Sequence, residues 1–511
     1  MPSPTTHTNG TADGDISSTR FPASPVGAKV HSQGRQPLGN DSPDFRAPEG
    51  RQLLRPRGNS FVPLGLDRRE RLVARGSRPL LTCAPLGPAL SACLLLFFFA
   101  VLGTSTALAA EDWPEFRGPT GQGIAKVSNL PAEWSQTKNV VWKKELPGAG
   151  WSSPVIVGGR IYLTAGVPAA NSSEYSLRAL ALDAKTGEIL WTTEVFKEGG
   201  NPAPRVHTKN SHASPTPLVH EGRVYVHFGH AGTACLDLDG KVLWRNTALN
   251  LLSVHGNGGS PIVVDKALIF NCDGGNEAFV AALDRKTGEV LWKTDRNTNS
   301  EQTFSFSTPL LIRVNGHPHV ISAGTDMVGA YDPATGREIW RVRYMGYSVV
   351  PRPVYGNGLV YVATGFGAAW IFAIRPDGQG DVTKTHVAWK THRGAPLTPS
   401  LLQVGDELYA LSDNGVVTCF DAPSGEVIWQ YRFDGNYSAS PLYADGKLYF
   451  QSEQGPAMVL KAGRQYQLLA KNNLGERTLA SYAVADGALF IRTAKYLYRV
   501  EKRQGDKETR R

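Results

Sequence analysis

The chain is poor in sulfur, with 5 cysteines and 4 methionines among 511 residues. Cys83 and Cys93 fall in an N-terminal apolar segment, leaving Cys235, Cys272 and Cys419. These three form no Cys-x-x-Cys pair, which excludes a paired-cysteine zinc knuckle and covalent haem attachment. Cys235 and Cys419 each stand two residues before a turn-opening Asp, a buried strand position, and are expected to be small core residues without disulfides. Charge is scarce too: Asp, Glu, Lys and Arg make up 19% of the chain, with a formal net charge of +9. Residues 1–110 hold 12 Lys and Arg against 7 Asp and Glu, and the remainder 42 against 38. That balance, with no basic stripe interleaved with aromatics, argues against nucleic-acid binding. No uninterrupted apolar run reaches the about 20 residues of a membrane-spanning helix.

What is abundant is turn chemistry, with 54 glycines and 34 prolines. One phrase recurs: LDAKTGEILW ending at Trp191, LDLDGKVLW at Trp244, LDRKTGEVLW at Trp292, YDPATGREIW at Trp340 and FDAPSGEVIW at Trp429. A looser copy, GDVTKTHVAW, ends at Trp389. Each reads as a strand end, an Asx-type turn with Gly at the φ > 0 position, and a second strand. The intervals between the tryptophans are 53, 48, 48, 49 and 40 residues, the period of a repeat architecture.

Residues 1–78 are rich in Ser, Pro, Gly and Arg without periodicity and are expected to be disordered. Residues 79–110 follow the basic cluster Arg68, Arg69, Arg71, Arg75 and Arg78, carry the apolar run Leu94–Leu102, and end Ala107-Leu108-Ala109-Ala110. This is the pattern of a signal peptide cleaved near Ala109 or Ala110, or of a signal anchor with its Arg-rich side in the cytoplasm. The expected location is therefore exported: periplasm, cell envelope or secreted. Membrane anchoring is open only through this hydrophobic segment. Residues 111–139 form a Gly-rich link, and 501–511 a charged disordered tail.

Between 140 and 500 each unit opens with a Ser/Pro entry to an apolar strand, as in WSSPVIV (151–157), HASPTPL (212–218) and YSASPLY (437–443). Eight such entries occur, but the last unit holds only three strands. The lone strand around Trp142 supplies the fourth. The expected fold is all-β: an eight-bladed β-propeller of four-stranded antiparallel blades, closed into a ring by the N-terminal strand so that no open edge remains. Trp142, Trp191, Trp244, Trp292, Trp340, Trp389 and Trp429 are expected to dock between blades rather than to hold a ligand. Leu469 is expected in the place of the seventh blade's tryptophan.

Links between blades and the loops joining second to third strands should emerge on one face. That face is where binding is expected, because loops on a rigid scaffold carry function. It gathers the ligand-binding candidates His207, Lys209, His212, Arg352, Arg393, Tyr437 and Arg477. Lys209, Arg352, Arg393 and Arg477 are placed around the channel mouth, where they could receive an anion. His207, His212, His230 and His255 are the candidates for a metal site. Gly256-Asn257-Gly258-Gly259 precedes a strand rather than a helix, so it fails as a nucleotide loop.

The D-x-x-T-G-x-x-x-W repeats with S-x-S-P entries resemble the blades of PQQ-type β-propellers, a superfamily that includes quinoprotein alcohol dehydrogenases and the outer-membrane assembly lipoprotein BamB. The opening WPEFRGPTGQG, with YSVVPRPVY and GERTLAS, is similar to a planctomycete-type group of exported PQQ-like repeat proteins. The resemblance spans about residues 111–500 and implies a non-catalytic binding or scaffold role, with an envelope protein, peptide or glycan as partner. It also implies an alternative, a quinoprotein oxidoreductase using PQQ with calcium. Against that alternative, the mature chain has no adjacent cysteine pair, and no carboxylate motif matches. Asp273, Glu277 and Asp326 only share the expected face. No catalytic residue and no cofactor is expected on the first reading.

Overall fold

Short apolar strands separated by Gly turns fold locally as antiparallel meanders, because each turn returns the chain against the strand just made. A computed structural model describes residues 111–170, 172–199, 206–249 and 251–502. Residues 1–110 and 503–511, with Cys83 and Cys93, lie outside the described residues. The described chain forms eight antiparallel sheets of four strands each, with a short parallel strand added to two of them. Blade one runs from its innermost strand Val155–Val157 to its outermost, Ile189–Glu198. Blades two to seven open at Leu218, Ile262, Leu310, Val354, Leu402 and Leu442. Blade eight has Ala483–Ala485, Ala488–Arg492 and Tyr496–Glu501, and its fourth strand is Val140–Glu145, with Trp142 opposite Arg499 and Glu145 opposite Tyr496. The ring is thus closed between the two ends of the propeller.

Burial follows position within the blade. Second strands such as Ala267–Asp273 are buried at every residue because neighbouring blades cover both faces. Outer strands such as Val242–Asn246 alternate between half-buried and exposed. The cores therefore lie between blades: Val280, Ala282 and Trp292 of blade three pack with Val320 and Tyr331 of blade four.

The Asp turns and tryptophans form one device. In blade three, Asp284 Oδ1 accepts from the Lys286 and Thr287 amides, and Gly288 sits at φ 79°. The indole of the preceding blade lies flat on that turn: a Cβ on Gly288 would stand 2.6 Å from Trp244 Cε3. Trp244 Nε1 donates to Arg285 O, Trp191 to Leu238 O and Trp340 to Pro376 O. Trp142, Trp292, Trp389 and Trp429 likewise donate to Ala184, Pro333, Ala422 and Gly463 carbonyls. A one-residue bulge precedes each tryptophan and aims it. In blade seven this register places Ala470, opposite Val459, where the tryptophan would stand. Leu469 is the bulged residue and is 38% exposed, so it does not replace the tryptophan. Trp134, from the N-terminal link, is buried in the same cluster between Tyr449 and Tyr482.

Candidate functional site

Each blade's entry places one residue two positions before its innermost strand, and these residues meet around the propeller axis. Seven are hydroxyls: Ser153, Thr216, Ser260, Thr308, Ser400, Ser440 and Ser481, each at most 7% exposed. They are joined blade to blade. The Ser153 amide donates to Thr216 Oγ1 at 2.9 Å, Thr216 to Ser260 Oγ at 2.9 Å, and Ser260 to Thr308 Oγ1 at 3.0 Å. Beyond blade five the series resumes through Ser400, Ser440 and Ser481 and returns to Ser153. The eighth position is Arg352.

Arg352 is 2% exposed and turns its guanidinium to the closed end of the axis. Its Nε donates to Pro309 O at 2.9 Å, Nη1 to Phe116 O at 2.6 Å, and Nη2 pairs with Glu115 Oε1 at 3.0 Å. Residues 113–123 form a strap across this end. Trp113 exchanges backbone hydrogen bonds with Ile156 of blade one, Pro114 O accepts from Val219 of blade two, and Gly123 O accepts from Tyr443 of blade seven. Arg117 Nη2 donates to Leu401 O of blade six at 2.7 Å. Gly121 is required, since a Cβ there would stand 2.5 Å from Arg352 Nη1 at a φ of 67°. Burial, and then the neighbouring Arg352, hold the Arg117 guanidinium down at about 9. Burial pushes the Glu115 carboxyl up against the pull of Arg352.

Above the strap lies a cavity of about 360 Å³. The hydroxyl ring lines its depth, Phe116 contributes from the strap, and Trp151, Phe304, Phe306, Tyr347 and Phe366 wall it. At the mouth stand His207, Lys209, Asn210 and His255. Among the described residues no Asp or Glu lines it. Part of the link between blades one and two reaches over this mouth. The His207 amide and Asn210 Nδ2 donate to His255 O, Lys209 Nζ pairs with Glu453 of blade seven at 2.8 Å, and Arg477 Nη2 donates to Thr208 O at 2.7 Å. The Arg477 guanidinium lies 5.5 Å from the Trp151 ring centre.

The site residues expected from sequence therefore separate. His207 and Lys209 line the cavity, and Arg477 braces its rim. Arg352 is not at the mouth: it is buried beneath the cavity, its guanidinium held by two backbone carbonyls and the Glu115 carboxylate. Tyr437 is fully buried, its hydroxyl donating to Asp434 O. Arg393 is exposed and lines no part of the cavity. The four histidines divide in two. His207 and His255 stack edge to face at 5.5 Å, whereas His212 and His230 both contact the buried Glu198 at 2.8 Å. Among the described residues no group of three or more His, Cys, Asp or Glu side chains is arranged to hold a metal. Burial pushes Glu198 up, but the bonds from His212 and His230 outweigh it and hold the carboxyl at about 2. Burial also pulls His230 down, and Glu198 more than reverses this, leaving it above its usual value. The hydroxyl ring and the Phe116 strap were missed; the sequence signal was a Ser or Thr two residues before nearly every first strand.

A family model described as outer membrane protein assembly factor BamB matches residues 125–195 and 324–508, together half of the chain. The chain belongs to this BamB family of PQQ-like β-propellers. BamB from Burkholderia pseudomallei (strain K96243) is 28% identical over 283 residues, covering 55% of each chain. The dehydrogenase subunit of a quinone alcohol dehydrogenase from Gluconobacter oxydans (strain 621H) is 28% identical over 314 residues, 55% of this chain and 37% of that one. The match thus spans only about a third to about half of these curated relatives' length. The crystal structure of quinohemoprotein alcohol dehydrogenase from Comamonas testosteroni superposes with a TM-score of 0.57 at 13% identity, over 81% of this chain and 83% of that one, a likeness of fold.

Within this BamB-type propeller the carboxylates once considered for cofactor chemistry are engaged elsewhere. Asp273 is buried against Arg296 at 2.6 Å, where burial pushes its carboxyl up to about 6 against the pull of that guanidinium. Glu277 pairs with Lys293, and Asp326 with Arg343.

Proposed function

We propose that this chain is an exported, non-catalytic binding propeller of the cell envelope, and that the face of the inter-blade links receives its partner. The observation that carries this is the aromatic-walled cavity, closed beneath by the strap and, among the described residues, free of carboxylates in its lining. Concave, largely apolar sites with a few convergent polar groups are binding sites. Leu252 and Met345, on links of the same face, are 61% and 79% exposed, as suits a protein contact. The names of the BamB relatives favour an envelope protein over a peptide or glycan as the partner. Photo-crosslinking residues placed at Leu252 and Met345 should capture an envelope protein in the native host, whereas one at Leu190 on an outer strand should not. Crosslinks of equal yield from all three positions would refute the assignment of the face.

The relatives also include quinone-dependent dehydrogenases. Calcium takes oxygen ligands, carboxylates foremost. The cavity offers hydroxyls, one amide and cationic or imidazole groups instead, and Asp273, Glu277 and Asp326 are each paired with a cation away from it. The residues present do not fit a calcium-bound quinone. A titration with PQQ, with and without Ca²⁺, tests this: a ligand at 100 times its Kd stabilises by about 2.7 kcal/mol, and a shift of that size that requires Ca²⁺ would reverse the preference.

A further inference from the structure

The hydroxyl ring is a donor array. A hydroxyl has one proton and two lone pairs. At each of the seven ring positions the oxygen already accepts a backbone N–H from the neighbouring blade. Ser440 donates its proton to Ser400 Oγ at 3.0 Å. The protons of Ser153, Thr216, Ser260, Thr308, Ser400 and Ser481 have no acceptor among the described residues, yet all six groups are buried and line the cavity. Buried donors left unmatched are costly, so an array of them implies an acceptor that completes it.

The unbalanced charge nearby is positive. Beneath the ring, Arg352 pairs with Glu115, whereas Arg117 meets no carboxylate among the described residues, and its Nε and Nη1 are buried without a partner. Above it, Lys209, paired with Glu453, stands at the mouth with two histidines, and among the described residues no carboxylate itself lines the wall. Between the two the wall is mainly aromatic, with smaller side chains such as Ser348, Val350 and Leu479 among the rings. The geometry points to a specific occupant: an organic anion, with an oxyanion head seated on the hydroxyl ring and a flat apolar body held among Trp151, Phe304, Phe306, Tyr347 and Phe366. A cation is disfavoured twice, by the inward protons and by the guanidiniums behind them. A bare inorganic anion would leave the aromatic walls without a partner. This inference uses the same cavity as the proposed binding face but does not depend on what docks at the rim.

Calorimetric titration of the purified full-length chain with naphthalene-2-carboxylate, 2-naphthylmethanol, 2-naphthylmethylammonium and sodium sulfate tests it. The carboxylate should bind at least about tenfold more tightly than the alcohol, since charge-assisted hydrogen bonds are about twice as strong as neutral ones. The ammonium should bind more weakly than either, and sulfate alone more weakly than the carboxylate. Thr216→Val should shrink the carboxylate's advantage over the alcohol while leaving alcohol binding within about twofold. If that variant does not fold, the comparison among ligands on the unaltered chain still decides. Equal binding of carboxylate, alcohol and ammonium would overturn the donor-ring assignment, and sulfate matching the carboxylate would overturn the apolar half. Either failure leaves the crosslinking at Leu252 and Met345 unaffected.

Discussion

Replacing Arg352 by Met probes the link between the strap and the ring most directly. The side chain is buried, and Met keeps most of its apolar length while removing contacts to Pro309 O, Phe116 O and Glu115. A hydrogen bond from a charged donor contributes about 1.5–3 kcal/mol, but the three do not simply add. Loss of the guanidinium also relieves Arg117 of its like-charged neighbour and leaves Glu115 to protonate, which burial already favours. The expected net cost is therefore about 3–5 kcal/mol, the range for breaking a buried ion pair. It should fall on the strap rather than on the ring of blades, because two of the three partners belong to the strap. Native-state hydrogen exchange can localise it. The amides of Ile156, Val219 and Tyr443 donate to strap carbonyls. At about tenfold per 1.4 kcal/mol, they should exchange roughly 100-fold faster or more, while the buried second strand Ala267–Asp273 stays protected. Unchanged exchange at those three amides, or an equal loss of protection throughout, would refute the reasoning. Adding Glu115→Gln to Arg352→Met should cost little beyond the single change, because the carboxylate no longer has a partner to lose.

Further outcomes are expected elsewhere. Trp340→Ala, which empties a fully buried site and leaves Pro376 O without its donor, should cost about 3–5 kcal/mol in denaturant unfolding. Gly288→Ala should cost about 1–3 kcal/mol more than Gly487→Ala: both have positive φ, but only the first drives a Cβ into an indole, with open space around the second. Stability from the Glu198 cluster is present above the usual carboxylate value of 4.5 and lost as pH falls toward about 2. The His230 share is complete below 6.5 and lost as pH rises through its elevated value. A stability profile should therefore show a component with its maximum between about 4.5 and 6.5 that Glu198→Gln removes. Burial pushes the Cys235 and Cys419 thiols up to about 11 and about 12, so thiol reagents should modify neither before unfolding.

The blades were legible because their signals are local. Asp284, Gly288 and Trp292 sit within one turn and one strand, and the period repeats often enough to count. The ring closure followed from a strand surplus at one end and a deficit at the other. What escaped depends on pairings, near or far, that no single strand or turn displays. The sequence points to Leu469 as the seventh docking residue, but the bulge assigns that place to Ala470. Arg352 and Tyr437 looked like surface-loop residues, yet their partners come from the strap and from a tight turn. The opening WPEFRGPTGQG belongs to a segment that reads as a Gly-rich link, yet its contacts reach residues more than 200 positions away. The entry Ser and Thr residues were noticed as strand markers, and only the closed ring shows that they face one another.

Blade eight takes its strands from opposite ends of the propeller, and this imposes an order of events. A chain delivered N-terminus first must keep Val140–Glu145 waiting, its backbone unpaired, until Tyr496–Glu501 has arrived. The strap waits as well, since Gly123 and Arg117 need blades seven and six. During delivery the unfinished molecule is an open arc with a sticky edge at each end, the species most prone to join a neighbour. Completion is therefore abrupt: one strand pairing converts a self-associating arc into a ring, and the cavity acquires its floor at nearly the same step. A cell making this protein has reason to shield the arc for as long as the last blade is missing.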